Sequence, residues 1–315
     1  MGATDEEPPP GIAMIGEVVD FAFGATLEDL AAVLPGSDVL FAWRTDRGLL
    51  EEVWGRAQDL RWIQSASAGV DGLLFPGLVG SAVVLTNARG VFDDAIAEYV
   101  VGTFLLFAKG SLGVFDRQRR GEWLHRESER LGDRRVLIAG AGSVGQAVGR
   151  SCRGLGMRVR GVARTARPRQ GVFEAIHGID ELVDAVRWAD FVVDTLPATP
   201  ETRHVFGEAV FAAMSPSTRF VNVGRGSTVD EEALVRALQQ GRLAGAALDV
   251  FEEEPLPISS PLWLMSNVVV SPHMSGNFAG WRETVVELFV ENLERYLTGR
   301  PLSGVVDKRR GYVPS

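Results

Sequence analysis

The chain has 315 residues, more than one compact core usually holds, so about two domains are expected. Its composition, 46% hydrophobic and 23% charged with 36 glycines and 15 prolines, is that of a folded α/β protein and excludes a fibrous or disordered chain. A formal charge of −9 argues against nucleic-acid partners, whose phosphates need clustered Lys and Arg, and the single cysteine, Cys152, excludes an internal disulfide or a multi-cysteine metal site.

Residues 1–11 are acidic and proline-rich, with neither the basic start nor the apolar stretch of a secretory signal, and they read as a disordered lead. Together with the lone cysteine this points to the cytoplasm. Short β-rich runs at 12–15, 38–43, 60–64 and 82–86 alternate with helices predicted to begin near Thr26 and Gly48, which describes a small domain built on a parallel sheet. Residues 91–114 are the one stretch that invites a membrane reading. Asp93, Asp94, Glu98 and Lys109 interrupt it, and the uncharged centre at 99–108 falls well short of the roughly 20 apolar residues a span needs. A buried helix, with no membrane contact, is expected there.

Six further strands are predicted at 135–139, 158–163, 191–196, 220–223, 246–250 and 268–271, a full complement for a dinucleotide-binding sheet. A helix over 279–298 places Trp281, Val285, Phe289 and Leu293 on one face and returns to the first domain. The expected fold is therefore α/β: two Rossmann-like or flavodoxin-like domains with parallel sheets. The cofactor domain, 109–281, is inserted into a substrate domain made of 1–108 and 282–315, and the active site is expected in the cleft between them.

The run from Val136 to Gly145 is an apolar strand leading into G-x-G-x-x-G and then into a helix through Leu155. Gly140 permits the tight turn, Gly142 lets the backbone approach a pyrophosphate, and Gly145 allows close packing of the helix. Ser143 and Val144 open that helix, whose free N–H groups face the anion. An NAD site usually carries Asp or Glu about 20 residues further on, to hold the ribose 2′-hydroxyl. Here no acidic residue occurs between Asp133 and Glu174, and Arg158, Arg160, Arg164, Arg167 and Arg169 surround the end of the second strand. A 2′-phosphate suits that setting, so NADP(H) is favoured over NAD(H), with Arg164 and Thr165 as its contacts.

In an open parallel sheet the C-terminal strand ends share one edge, where ligands bind. Arg225, Glu254 and His273 each follow a successive predicted strand on that rim. A cation that holds a carboxylate and polarises a carbonyl, and an acid that protonates its oxygen as hydride arrives at carbon, are what reduction of a 2-keto acid needs. Arg225 and His273 fill those roles, and Glu254 orients the His273 ring and stabilises its imidazolium. His125, His177 and His204 lack such placement. No metal is needed for this chemistry.

At this point the chain resembles the D-isomer-specific 2-hydroxyacid dehydrogenase family over most of its length. The resemblance rests on Ser67-Ala68-Gly69-Val70-Asp71, Thr86-Asn87-Ala88-Arg89-Gly90, Ala97-Glu98-Tyr99, the glycine loop, Thr195-Leu196-Pro197, Val221-Asn222-Val223-Gly224-Arg225-Gly226, the run from Leu248 to Pro257, and Ser271-Pro272-His273. It implies a small 2-keto or 2-hydroxy acid substrate and the same three roles for Arg225, Glu254 and His273. It also implies that Asp249 approaches the nicotinamide carboxamide, that Leu196 and Pro197 border the adenosine side, that Val223 and Gly224 line the cofactor site, and that the backbone of Ala68, Gly69 and Val70 holds the substrate carboxylate. A homodimer formed through the cofactor domains is a further implication. Trp43, as a substrate-side residue, and the basic cofactor region resemble the glyoxylate and hydroxypyruvate reductase branch. Residues 11–36 depart from the family as a compressed, irregular version of its opening strand and helix. NAD(P)-sensing co-repressors share this fold, so a regulator with little turnover is the alternative.

Overall fold

Where β-branched and apolar residues run long enough to be buried on both sides, the chain forms parallel strands. The computed structural model describes every residue except Asp5, Glu17, Thr45, Asp46, Arg169 and Ser315, so Arg169 of the predicted basic cluster lies outside the described residues. Two compact units result, Met1–Phe92 with Phe278–Ser315, and Asp93–Asn277.

The first unit carries β1 (Val39–Ala42), β2 (Trp62–Ser65) and β3 (Val84–Thr86), parallel and in that order. β2 is central and buried along its whole length, whereas β1 alternates between half-buried and buried positions. The helix expected near Thr26 is Leu27–Val33, and its start is a capping box: the Thr26 hydroxyl accepts from the Asp29 N–H at 3.2 Å while Asp29 accepts from the Thr26 N–H at 3.0 Å. The Trp281–Leu297 helix lays Phe289 flat on Phe41, ring centroids 4.3 Å apart, and against Trp62.

Two expectations for this unit are corrected. Residues Ile12–Ile15 form a 3₁₀ helix, not a strand. The preceding Pro8, Pro9 and Pro10 have no N–H to offer a sheet, and 3₁₀ spacing lets Ile12 and Ile15 bury together beside Trp62, Val286 and Phe289. Nor is the opening segment wholly without structure: Met1 and Ala3 are buried, and the Met1 carbonyl accepts from the N–H groups of Trp43 (3.1 Å) and Arg44 (3.2 Å) just past β1.

The second unit carries β4 (Arg135–Ala139), β5 (Arg158–Ala163), β6 (Ile176–Gly178), β7 (Phe191–Asp194), β8 (Arg219–Asn222), β9 (Gly245–Leu248) and β10 (Val268–Val270). All are parallel, in the order β10-β9-β8-β7-β4-β5-β6. Alternate side chains go to opposite layers: Leu137, Ala139 and Val192 face one apolar cluster, and Val136, Ile138 and Val193 the other. The order reverses between β4 and β7, so the switch point lies there. β6 was not predicted, because a three-residue edge strand leaves little periodic signal.

The domain boundary also moves. The Asp93–Ala108 helix belongs to the second unit, not to the first as the 1–108 division had it. Val100 and Phe104 are fully buried in the apolar cluster with Ile138 and Val148, and the Phe104 ring lies 4.2 Å from that of Phe191. The apolar stretch at 91–114 is split at Gly110 into this helix and Ser111–Arg120, bent by 60°, and no single described helix is long and apolar enough to cross a membrane.

Candidate active site

Gly140 leaves β4 with φ 107° and donates its N–H to the Val162 carbonyl at 2.9 Å. A Cβ there would collide with Thr195, which follows β7, so the loop sits at the switch point. A Cβ on Gly145 would meet the Gly140 carbonyl, which is why the Ser143–Gly154 helix can start so close to the strand. Gly142 caps that helix, is exposed, and faces open space to 4 Å. Room beside free helix N–H groups is what a pyrophosphate requires, so the loop fits a dinucleotide.

Within and beyond β5 the arginines divide. Arg158 pairs with Glu174 at 3.0 Å, and the Arg160 guanidinium lies 4.2 Å from the centre of the Trp188 ring. The Arg167 N–H bonds the Ile176 carbonyl. Arg164 and Thr165 are exposed just past Val162, the residue that holds Gly140. Leu196 and Val223 are nearly buried; Leu196 N–H donates to Asp194 at 2.9 Å, and the Pro197 carbonyl accepts from Thr202 at 2.6 Å.

On the rim, the structure brings Arg225, Glu254 and His273 together. His273 Nδ1 and Glu254 Oε2 are 2.7 Å apart, and Glu254 Oε1 accepts from the Phe251 N–H at 3.0 Å, so both carboxylate oxygens are engaged. Burial pushes the Glu254 carboxyl up, but the bonds from His273 and Phe251 and the charges of His273 and Arg225 outweigh it and hold the group below its ordinary range. With Nδ1 committed, Nε2 is the ring nitrogen left for a ligand. Arg225 follows β8 in an extended conformation, its Nη1 2.8 Å from the Gly224 carbonyl. Gly224 packs on the Leu196 backbone, where a Cβ would stand 2.8 Å from the carbonyl oxygen.

Asp249 is fully buried, and its carboxylate serves the turn that carries His273. Oδ1 accepts from the Ser271 hydroxyl (2.5 Å) and the Met274 N–H (2.9 Å), and Oδ2 from the Ser275 N–H (2.8 Å). Tyr99 extends this network, its hydroxyl 2.7 Å from that of Ser271. His273 itself is held at φ 50°, unusual for a residue with a side chain, and these bonds on either side maintain it. In the sequence Ser271 and Tyr99 stand only as parts of motifs; single hydroxyl groups in apolar runs carry no separate signal of such a role. His204 and His177 have other partners, Glu252 at 2.9 Å and Glu181 at 3.8 Å, and His125 is exposed.

In the first unit, Ala68, Gly69 and Val70 follow β2 in a loop tied down by Asn87, whose Nδ2 donates to the Ala68 carbonyl at 2.5 Å. Trp43 follows β1 and stacks on Trp281 with centroids 6.1 Å apart. Phe75 is buried against Trp54.

Residues 101–275 match the family model for the D-isomer specific 2-hydroxyacid dehydrogenase NAD-binding domain. The chain is 35% identical over 265 residues to glyoxylate/hydroxypyruvate reductase B of Salmonella schwarzengrund, covering 81% of this chain and 79% of that protein. It is 29% identical over 308 residues to D-3-phosphoglycerate dehydrogenase of Methanocaldococcus jannaschii, covering 96% of this chain but only 58% of that longer protein. Among solved structures, the NADPH-dependent glyoxylate/hydroxypyruvate reductase of Sinorhizobium meliloti, in complex with NADP and sulfate, superposes with a TM-score of 0.79 at 33% identity, covering 89% of this chain and 87% of that one. The chain belongs to the D-isomer specific 2-hydroxyacid dehydrogenase family and is an NAD(P)-dependent oxidoreductase.

Proposed function

We propose that the protein is a cytoplasmic, NADPH-preferring reductase of small 2-keto acids of the size of glyoxylate or hydroxypyruvate, forming the D-2-hydroxy acid. The observation that carries this reading is the His273–Glu254 pair, which leaves Nε2 available on the rim with Arg225 near the same carboxylate. The dinucleotide, held along Gly140, Gly142, Ser143, Val144 and Gly145 and by Leu196, Pro197, Val223, Gly224 and Asp249, supplies the hydride. Arg225 holds the substrate carboxylate through charge-assisted hydrogen bonds. His273 donates a proton from Nε2 to the carbonyl oxygen, and Glu254 steadies the imidazolium before the transfer. Ala68, Gly69, Val70 and Trp43 are the substrate contacts offered by the first unit. NADPH consumption measured against glyoxylate, hydroxypyruvate, pyruvate and bulkier 2-keto acids tests the reading. The smallest acids should turn over best. Tight NADPH binding without turnover of any acid would favour the regulator instead.

Cofactor choice rests on Arg164 and Thr165. A charge-assisted hydrogen bond contributes roughly 1.5–3 kcal/mol, so Arg164→Asp should shift the NADPH/NADH preference by about 10- to 150-fold, and by the lower figure if the exposed contact is well solvated. Equal kcat/KM ratios for the two cofactors in wild type and variant would contradict the assignment.

A homodimer through the second unit accounts for Leu105, Val114, Phe115, Trp123 and Leu124, all exposed on or just after the bent helix pair, Trp123 at 99%. Phe115→Asp should convert a dimer to a monomer in light scattering at micromolar concentration; a wild type that is already monomeric refutes the dimer.

A further inference from the structure

Asp194 ends β7 at the switch point, and none of its surface is exposed. Among the described residues no counter-charge acts on it. Ala139 lies beside it on β4 and Asn222 on β8, Oδ1 accepts from the Leu196 N–H at 2.9 Å, and Oδ2 meets the Thr228 hydroxyl. Asp249, at the end of the next strand, directs both carboxylate oxygens to the 271–275 turn, and Arg225 Nη1 donates to the Gly224 carbonyl. Among the described residues no Lys, Arg or His shifts Asp194, and burial pushes its carboxyl from 3.8 up to about 7, against the smaller pull of the bonds from Thr228 and Leu196.

The Thr228 hydroxyl has one proton and two acceptors within reach. Oγ1 touches Asp194 Oδ2 and lies 2.6 Å from the Arg225 carbonyl oxygen. If the carboxyl is protonated, it donates to Thr228 Oγ1, and the hydroxyl donates onward to Arg225. If it is ionised, the hydroxyl must turn to the carboxylate, and the Arg225 carbonyl loses its shortest bond, keeping the longer ones from Asn222 Nδ2 at 3.1 Å and the Thr228 N–H at 3.2 Å.

We propose that Asp194 works as a neutral carboxylic acid and, through Thr228, positions the Arg225 turn for substrate binding, so that its ionisation loosens that turn. This rests on the reading of Arg225 as the carboxylate anchor. Asp194 is thus a positioning residue, acting on the substrate only through Arg225.

Asp194→Asn mimics the neutral acid, its oxygen accepting from Leu196 and its amide donating to Thr228. The 2-keto acid KM is measured for wild type and variant from about pH 5.5 to about pH 8.5, and the wild-type value divided by the variant value at each pH, which cancels any titration common to both. The ratio should rise from about 1 to about 5, the effect of one neutral hydrogen bond of about 1 kcal/mol. Thr228→Val, which removes the relay, should show the alkaline wild-type KM at every pH and serves if the first variant does not fold.

Thermal unfolding separates the proton from the anchor. A carboxyl whose folded pKa lies above its unfolded value loses stability as pH rises from about 4 to about 7, so the Tm advantage of Asp194→Asn should widen across that window and then level. A constant Tm gap overturns the neutral acid. A widening gap with a flat KM ratio overturns the positioning role. If Arg225→Gln also leaves KM unchanged, the anchor reading itself has failed.

Discussion

Replacing His273 with Ala is expected to lower kcat for 2-keto acid reduction by about 10²- to 10⁴-fold, the usual contribution of a positioned general acid, while NADPH affinity stays close to that of wild type. The reason is geometric. Nδ1 is tied to Glu254 at 2.7 Å and the turn is fixed by Asp249, so Nε2 has one direction to work in, whereas His204, whose N–H bonds the Ser227 carbonyl, has its Nε2 on Glu252 at 2.9 Å. Stopped-flow single-turnover rates with NADPH already bound check the chemical step directly; a variant that reduces the best acid at the wild-type rate would refute the role. Glu254→Gln should be milder in its effect on kcat, since a neutral amide can still orient the ring. Glu254 is held below its ordinary value of 4.5, so the stability of the pair is present above that value and is lost as pH falls through the depressed one.

Arg225→Gln is expected to raise the 2-keto acid KM by about 10- to 150-fold, the loss of roughly 1.5–3 kcal/mol of charge-assisted bonding to the carboxylate. Arg225→Lys should recover part of that, since an ammonium supplies the charge but not the planar fork of donors. An uncharged substrate, the amide of the same keto acid, provides the control: the gap between wild type and Arg225→Gln should largely close with it. If the gap persists, the guanidinium acts on something other than the carboxylate.

The parts of the site that depend on neighbours in sequence were legible without a structure. The strand, the three glycines and the helix of residues 136–155 form one local unit, and its steric needs show in the residues themselves: no side chain fits at Gly145. Arg225, Glu254 and His273 could be placed together because parallel strands put their C-terminal ends on one edge whatever the order of the strands. The strands of the larger sheet followed the apolar runs, apart from the short edge strand β6.

What failed to show were choices between partners distant in sequence. Four apolar residues at 12–15 suit a strand or a 3₁₀ turn equally, and only the surface offered by Trp62 and Phe289 decides. The Asp93–Ala108 helix is apolar nearly all round, so its pattern could not say which core it joins; the Phe191 ring does. Arg158 and Arg160 read like Arg164 until Glu174 and Trp188 engage them.

By itself, then, the sequence determined the fold class, the phosphate loop and the three polar residues of the rim, because each depends on local sterics or on the common polarity of a parallel sheet. Tertiary structure alone decided which carboxylates are buried, and with what partners. Asp249 and Asp194 both follow apolar runs as ordinary strand-end residues, yet one accepts three hydrogen bonds beneath His273 and the other lies beside Thr228 with no counter-ion among the described residues. The cost of burying a charge depends on everything packed around it, which the order of residues along one strand does not contain.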